Sequence, residues 1–194
     1  MLEILNINFT DLLINYKYWA IFTLLTTNGF CNLPSSQITY LGVGYFVSTG
    51  KLDFWMSVMA GTAGNVLGNF ILSFMITKYG INFAKKFTYI NDKALGSFAQ
   101  SVNKNGYLYL IVAKLIPNLK VLVPVIVGVS GLPAKKAILV YALGSGLWAI
   151  IVIKIGEYFG GNISWQYYSI AVFALALVTV TLFYLRFIKP NIVK

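Results

Sequence analysis

From Phe54 to Thr77 the chain carries no charged residue. About 20 apolar residues are enough to cross the hydrocarbon of a bilayer as a helix, so this run predicts a membrane span and makes lipid the solvent that the rest of the chain must satisfy. The composition agrees. The 194 residues are 58% hydrophobic and 10% charged, where a soluble domain carries roughly 25% charged residues. The length accommodates about four to six spans. Fifteen Lys and Arg against five Asp and Glu leave a charge of +10. In a membrane protein that balance points to basic cytoplasmic loops and anionic headgroups, and nucleic acid is set aside as a partner. The absence of histidine removes His-based acid–base catalysis, most zinc sites and the Ser–His pairing of intramembrane serine proteases. The chain is therefore expected to be no enzyme and to hold no cofactor or metal. A lone Cys31 has no internal disulfide partner and reads as a packing residue. With Glu3 and no basic stretch ahead of its first apolar residues, the N-terminus does not resemble a cleaved leader, and the chain is expected to begin at Met1.

Residues 1–30 mix apolar and polar positions and then become apolar from Tyr18 to Phe30, which predicts an N-terminal helix lying in or obliquely entering the bilayer. Residues 31–80 read as a first broken hairpin around Pro34 followed by the uncharged span. Gly61, Gly64 and Gly68 fall near one face of that span, suited either to close approach of a neighbouring helix or to flexibility facing lipid. Residues 81–105, with Lys85, Lys86, Lys93 and Lys104 and aromatic residues at helical intervals, predict an amphipathic interfacial linker on the cytoplasmic side. Residues 106–160 repeat the plan of a broken hairpin around Pro117 and a Gly-rich span, and 165–186 reads as a C-terminal span that opens on an aromatic belt at Trp165, Tyr167 and Tyr168. Lys154, near an outer end, is expected to pair with Glu157. The spacing from Gly64 to Gly80 recurs from Gly144 to Gly160. The expected fold is a single all-α integral membrane domain over 1–194: an inverted repeat of a re-entrant broken hairpin plus a transmembrane helix, closed by the C-terminal helix, in the cell (inner or plasma) membrane.

The run from Tyr107 to Gly131 is apolar yet contains Lys114, Pro117, Lys120 and Pro124. Irregular backbone and charge are accepted at membrane depth only where they are buried in protein or face water. Each Lys at a helix centre costs roughly 2.5–3.5 kcal/mol on insertion scales, so the pair requires a partner. Snorkelling to the headgroups from a shallow hairpin is one solution. A phosphate-binding pair, assisted by open amides at a broken helix end, is the other. The string Gly128-Val129-Ser130-Gly131 matches the short motif of intramembrane serine proteases, but without histidine its hydroxyl has no base. Gly144-Ser145-Gly146 reads as helix packing, and Asp53 and Glu157 as residues of a solvated face.

The segment KLIPNLKVLVPVIVGVSGLPAKKAILVYALGSGLWAIIVIKIGEYFG resembles the second-half signature of the DedA family of membrane proteins (SNARE-associated or VTT-type domain), with Lys114, Pro117, Lys120, Gly128, Gly144 and Trp148 at its marked positions. SSQITYLGVGYFVSTGKLDFW and GTAGNVLGNFILSFMITKYG are similar to the family's first hairpin and following helix. The resemblance covers roughly residues 25 to 160. It implies an inverted-repeat lipid transporter that moves polyprenyl phosphate or phospholipid between leaflets, with lipid headgroups as partners. Where the family carries Arg, this chain has Lys114 and Lys120. Where the family usually carries carboxylates it has Asn28, Gln37 and Asn69, whose amides keep hydrogen-bonding shape but do not titrate. The implied substrate-binding set is Lys114, Lys120, Gln37, Asn28, Asn69, Pro117 and Pro34, with no carboxylate proton coupling. A non-transporting scaffold that binds anionic lipid or a partner protein, and a small-solute or ion carrier, are the alternatives.

Overall fold

The computed structural model describes residues 9–33, 35–85, 102, 106–116 and 119–161. Pro34, Pro117, nearly all of the amphipathic linker beyond residue 85, the aromatic belt and the C-terminal span at 165–186 lie outside the described residues. Among the described residues the chain forms helices α1 (Phe9–Cys31), α2 (Ser36–Ser48), α3 (Phe54–Tyr79), α4 (Ile81–Lys85), α5 (Tyr107–Lys114), α6 (Leu122–Ser130) and α7 (Ala134–Gly160).

Helices α3 and α7 are long and apolar enough to cross a membrane; α3 starts where the uncharged run starts and extends past Thr77 to Tyr79. Helix α3 begins on an Asp53 cap whose carboxylate accepts from Met56 N at 2.8 Å, satisfying one of the open amides of a first turn. Asp53 is exposed, in keeping with the sequence reading of a solvated face, and its carboxylate serves there as the cap. Helices α2, α5 and α6 have 13, 8 and 9 residues. At 1.5 Å per residue none approaches the ~30 Å of a hydrocarbon core. Helix α1 is broken at Lys17 (φ 42, ψ −116), and its later part runs along α3 rather than lying apart from it.

The two halves share one packing plan. The first limb of each half packs on that half's own long helix, α1 on α3 and α5 on α7, whereas the second limb crosses to the other half, α2 on α7 and α6 on α3. Helices α3 and α7 pack on each other between them. Small residues permit the closest contacts. A Cβ on Gly64 would strike the Phe22 carbonyl, and one on Gly68 the Thr26 carbonyl, so α1 and α3 meet backbone to backbone. Gly44 meets Gly156 in the same way between α2 and α7. Of the two sequence readings of these glycines, the packing one holds.

The core is layered. One apolar cluster gathers Leu72, Ile76, Leu110, Val123 and Tyr141, and another gathers Leu25, Tyr40, Val43, Phe46 and Ile153. On α3 the two clusters are separated by Asn65 and Asn69, and on α7 by Ser145, all buried. The outside is the reverse of a soluble protein's: Leu139, Leu143, Leu147, Ile151 and Ile155 form an exposed stripe along α7. A contiguous apolar face of this kind is a liability in water and the natural surface in lipid. The chain is an all-α membrane protein.

Candidate functional site

Asn65 lies about 16 Å of helix rise beyond Phe54, and Ser145 the same distance beyond Ala134. Because α3 and α7 run antiparallel, their polar residues meet near the mid-length of both helices. Lys114, the last residue of α5, reaches this level. Gly144 admits its stem: a Cβ there would sit 2.7 Å from Lys114 Cβ. Lys120 follows in the turn that leads into α6.

The ammonium of Lys114, a residue only 5% exposed, donates to Asn65 Oδ1 at 3.1 Å and to Ser145 Oγ at 3.2 Å. Ser145 Oγ donates in turn to Asn65 Oδ1 at 2.7 Å, and Asn69 Nδ2 donates to the same oxygen at 2.8 Å. Asn65 Nδ2 reaches Asn28 Oδ1 on α1 at 3.2 Å. An ammonium only donates, so the Asn65 atom that faces it must be the oxygen, and this orients the whole amide chain. Lys120 takes the other hairpin: its Nζ lies 2.6 Å from Ser36 Oγ and 3.0 Å from Gln37 Oε1. Aromatic faces complete both cations, with Tyr141 at 5.2 Å from Lys114 and Trp148 at 5.6 Å from Lys120, ammonium to ring centroid.

Lys114, Lys120, Asn28, Asn65, Asn69, Ser36, Tyr40, Ser145 and Trp148 share the lining of one cavity of ≈ 20 Å³, room for about one water. No carboxylate occurs in this lining among the described residues. The Tyr40 hydroxyl and the Trp148 indole N–H are buried without a hydrogen-bond partner among the described residues, which leaves two donors beside two cations. The arrangement is suited to an anion with several oxygens.

The structure thus brings together five of the seven residues that the sequence singles out: Lys114, Lys120, Gln37, Asn28 and Asn69. Pro34 and Pro117 are outside the described residues. Two hub residues were not singled out. Asn65 stands one helical turn before Asn69 on the same face as the glycines, and that i, i+4 amide pair in an apolar span is the signal that marks it. Ser145 looked like packing because its neighbours are glycines. Its hydroxyl is instead a donor in the polar layer, so the reading of Gly144-Ser145-Gly146 as packing alone is corrected. Ser130, in the protease-like string, donates to the Val127 carbonyl of its own helix at 3.3 Å and does not line the cavity. Lys154 pairs with Glu157 at 2.7 Å, as the i, i+3 spacing suggests.

A family model described as the VTT domain matches residues 33–158, the stretch that holds both hairpins and both long helices. An uncharacterized membrane protein of Bacillus subtilis, YbfM, is 29% identical over 155 residues, covering 77% of this chain and 94% of that protein. The Escherichia coli inner membrane protein YohD is 26% identical over 147 residues, 73% of this chain and 75% of its own length. An uncharacterized membrane protein of Buchnera aphidicola, BU139, is 32% identical over 111 residues, 55% of this chain; the match spans only 42% of that longer relative. No solved structure matches. By the extent of the family match and by the two broken, interlocked halves that carry it, the chain belongs to the VTT domain family, that is, to the DedA-type membrane proteins.

Proposed function

We propose that the protein moves a phosphate-bearing lipid, a polyprenyl phosphate or a phospholipid, between the leaflets of the cell membrane, without carboxylate proton coupling and without enzymatic chemistry. The observation that carries this reading is the pair of lysines. Two ammonium groups stand on one mid-depth cavity, held by neutral oxygens alone among the described residues. Hydrogen bonds to amides and hydroxyls offset part of the cost of a charge at that depth, and an anion offsets more. In this reading the short limbs α2, α5 and α6 are re-entrant, each half sealing the other's broken backbone from lipid. The phosphate meets Lys114 and Lys120, the polar remainder meets Gln37, Asn28 and Asn69, and the tails stay in lipid. Lys is a flexible point charge rather than a planar fork, so headgroup selectivity is looser than a pair of arginines would give.

The small size of the cavity favours one second reading, a carrier of small inorganic anions. A scaffold has no use for a buried cationic cavity. Purified protein reconstituted in liposomes separates the three. Leaflet exchange of labelled phospholipid and polyprenyl phosphate supports lipid translocation. Phosphate or chloride flux without lipid exchange replaces it with the carrier reading, and neither activity leaves the scaffold.

A further inference from the structure

Three donors converge on a single oxygen at the centre of the polar layer. Asn65 Oδ1 accepts from Lys114 Nζ at 3.1 Å, Ser145 Oγ at 2.7 Å and Asn69 Nδ2 at 2.8 Å. A carboxamide oxygen has two lone pairs, so three donors overfill it. A phosphate oxygen, with its negative charge and an additional lone pair, is the acceptor that such a set fits, and charge-assisted bonds are about twice as strong as neutral ones. A second lysine repeats the motif. Gln37 Oε1 accepts from Lys120 Nζ at 3.0 Å and from Ser35 Oγ at 2.7 Å, again a side-chain carbonyl placed between a lysine and a serine.

We propose that Asn65 is an internal stand-in for the ligand: its carboxamide oxygen fills the place of a phosphate oxygen among Lys114, Ser145 and Asn69, and must turn away for a phosphate group to bind. The inference rests on the phosphate reading above and adds to it a latch. The cavity supports it, since ≈ 20 Å³ holds about one water and a phosphate enters only if a side chain leaves. The carboxamide of Asn65 is the group whose departure frees the most donors at once. Tyr40 OH and Trp148 Nε1, buried and unpartnered among the described residues in the lining of the same cavity, are then further donors to the incoming oxygens. Neutrality is essential to the device. An amide satisfies the ammonium while the site is closed yet releases it to an anion, whereas a carboxylate at the same place would form a buried ion pair that competes with the ligand permanently.

The test compares the full-length chain in detergent with its Asn65→Ala and Asn65→Asp variants, titrated calorimetrically with two probes: inorganic phosphate and dihexanoyl phosphatidic acid. Asn65→Ala removes the internal acceptor and keeps all three donors, so binding is expected to tighten about tenfold. Asn65→Asp is expected to weaken it by at least about tenfold. An alanine variant that binds equally or more weakly than the parent overturns the latch. Should that variant fail to fold, the aspartate variant decides: affinity equal to or above the parent's overturns the proposal, and a loss at unchanged melting temperature supports it. Tightening toward phosphatidic acid alone assigns the latch to a lipid headgroup, and tightening toward both probes assigns it to the phosphate group itself. Tightening toward inorganic phosphate alone keeps the latch and removes the lipid reading. If the parent binds with no dependence on residue 65, only the latch fails. If neither parent nor variants bind either probe, the phosphate site fails with it.

Discussion

Lys120 donates to the Oε1 of Gln37, 83 residues earlier in the chain, at 3.0 Å. The bond joins the turn between α5 and α6 to the first turn of α2, so the charged residue of one half is completed by the polar residue of the other. Lys114 does the same through Asn65 on α3. Both lysines belong to the second half and both donate to side-chain oxygens of the first, Gln37 and Asn65, so the site exists only where the two halves meet.

Replacing both Lys114 and Lys120 with Gln is expected to lower lipid exchange in proteoliposomes by tenfold or more while the protein still inserts, since removing charge from the bilayer interior eases insertion. Exchange rate and recovery in the membrane fraction are the two readouts. Normal exchange by the double variant would mean that the lysines do not meet the substrate.

Lipid exchange is expected to respond weakly to an imposed pH gradient, because Asn28, Gln37 and Asn69 do not titrate. Gln37→Glu combined with Asn69→Asp is expected to introduce gradient dependence. The rate with and without a gradient, for parent and double variant, checks this. Steep dependence in the unmodified protein rules out the uncoupled reading.

Gly64→Val and Gly68→Val should each destabilise the fold by about 1–3 kcal/mol or more, as overpacking does. Here the obstacle is the backbone carbonyls of Phe22 and Thr26, which cannot rotate aside. Thermal unfolding in detergent reads the loss. Gly161→Ala, whose added Cβ would meet its nearest neighbour at 3.6 Å, is the matched control and should shift stability by less than about 0.5 kcal/mol.

Gly144→Ala separates site geometry from fold stability. Its methyl presses on the root of the Lys114 side chain and should displace the ammonium from Asn65 and Ser145. The expected result is a several-fold loss of phosphate binding with a smaller fall in melting temperature than either valine variant produces. A melting loss as large as theirs with binding intact would contradict it.

Asp53→Ala should cost about 1 kcal/mol through the lost helix cap and leave lipid exchange unchanged, because Asp53 does not line the cavity. Parallel melting and exchange measurements decide this, and an exchange defect in a fully stable variant would assign Asp53 a part in transport.

Much of the architecture was legible in the linear order of residues. The uncharged run from Phe54 forces a span because burying unpaired charge in hydrocarbon is costly. Prolines and lysines inside the run from Tyr107 to Gly131 forbid a plain helix there, because broken backbone must find partners. The glycine spacing shared by the two halves revealed the repeat, and Lys114 and Lys120 revealed the charge that needs an answer. What answers it was decided by tertiary structure. That α2 lies on α7 and α6 on α3, rather than each limb on its own half's helix, depends on side-chain packing between segments far apart in sequence. Local periodicity does not encode such packing. The selection of Asn65 and Ser145 as the hub follows from the same crossing. In sequence each is one small polar residue among glycines, and it becomes a partner of Lys114 only when two antiparallel helices bring their midpoints to the same depth.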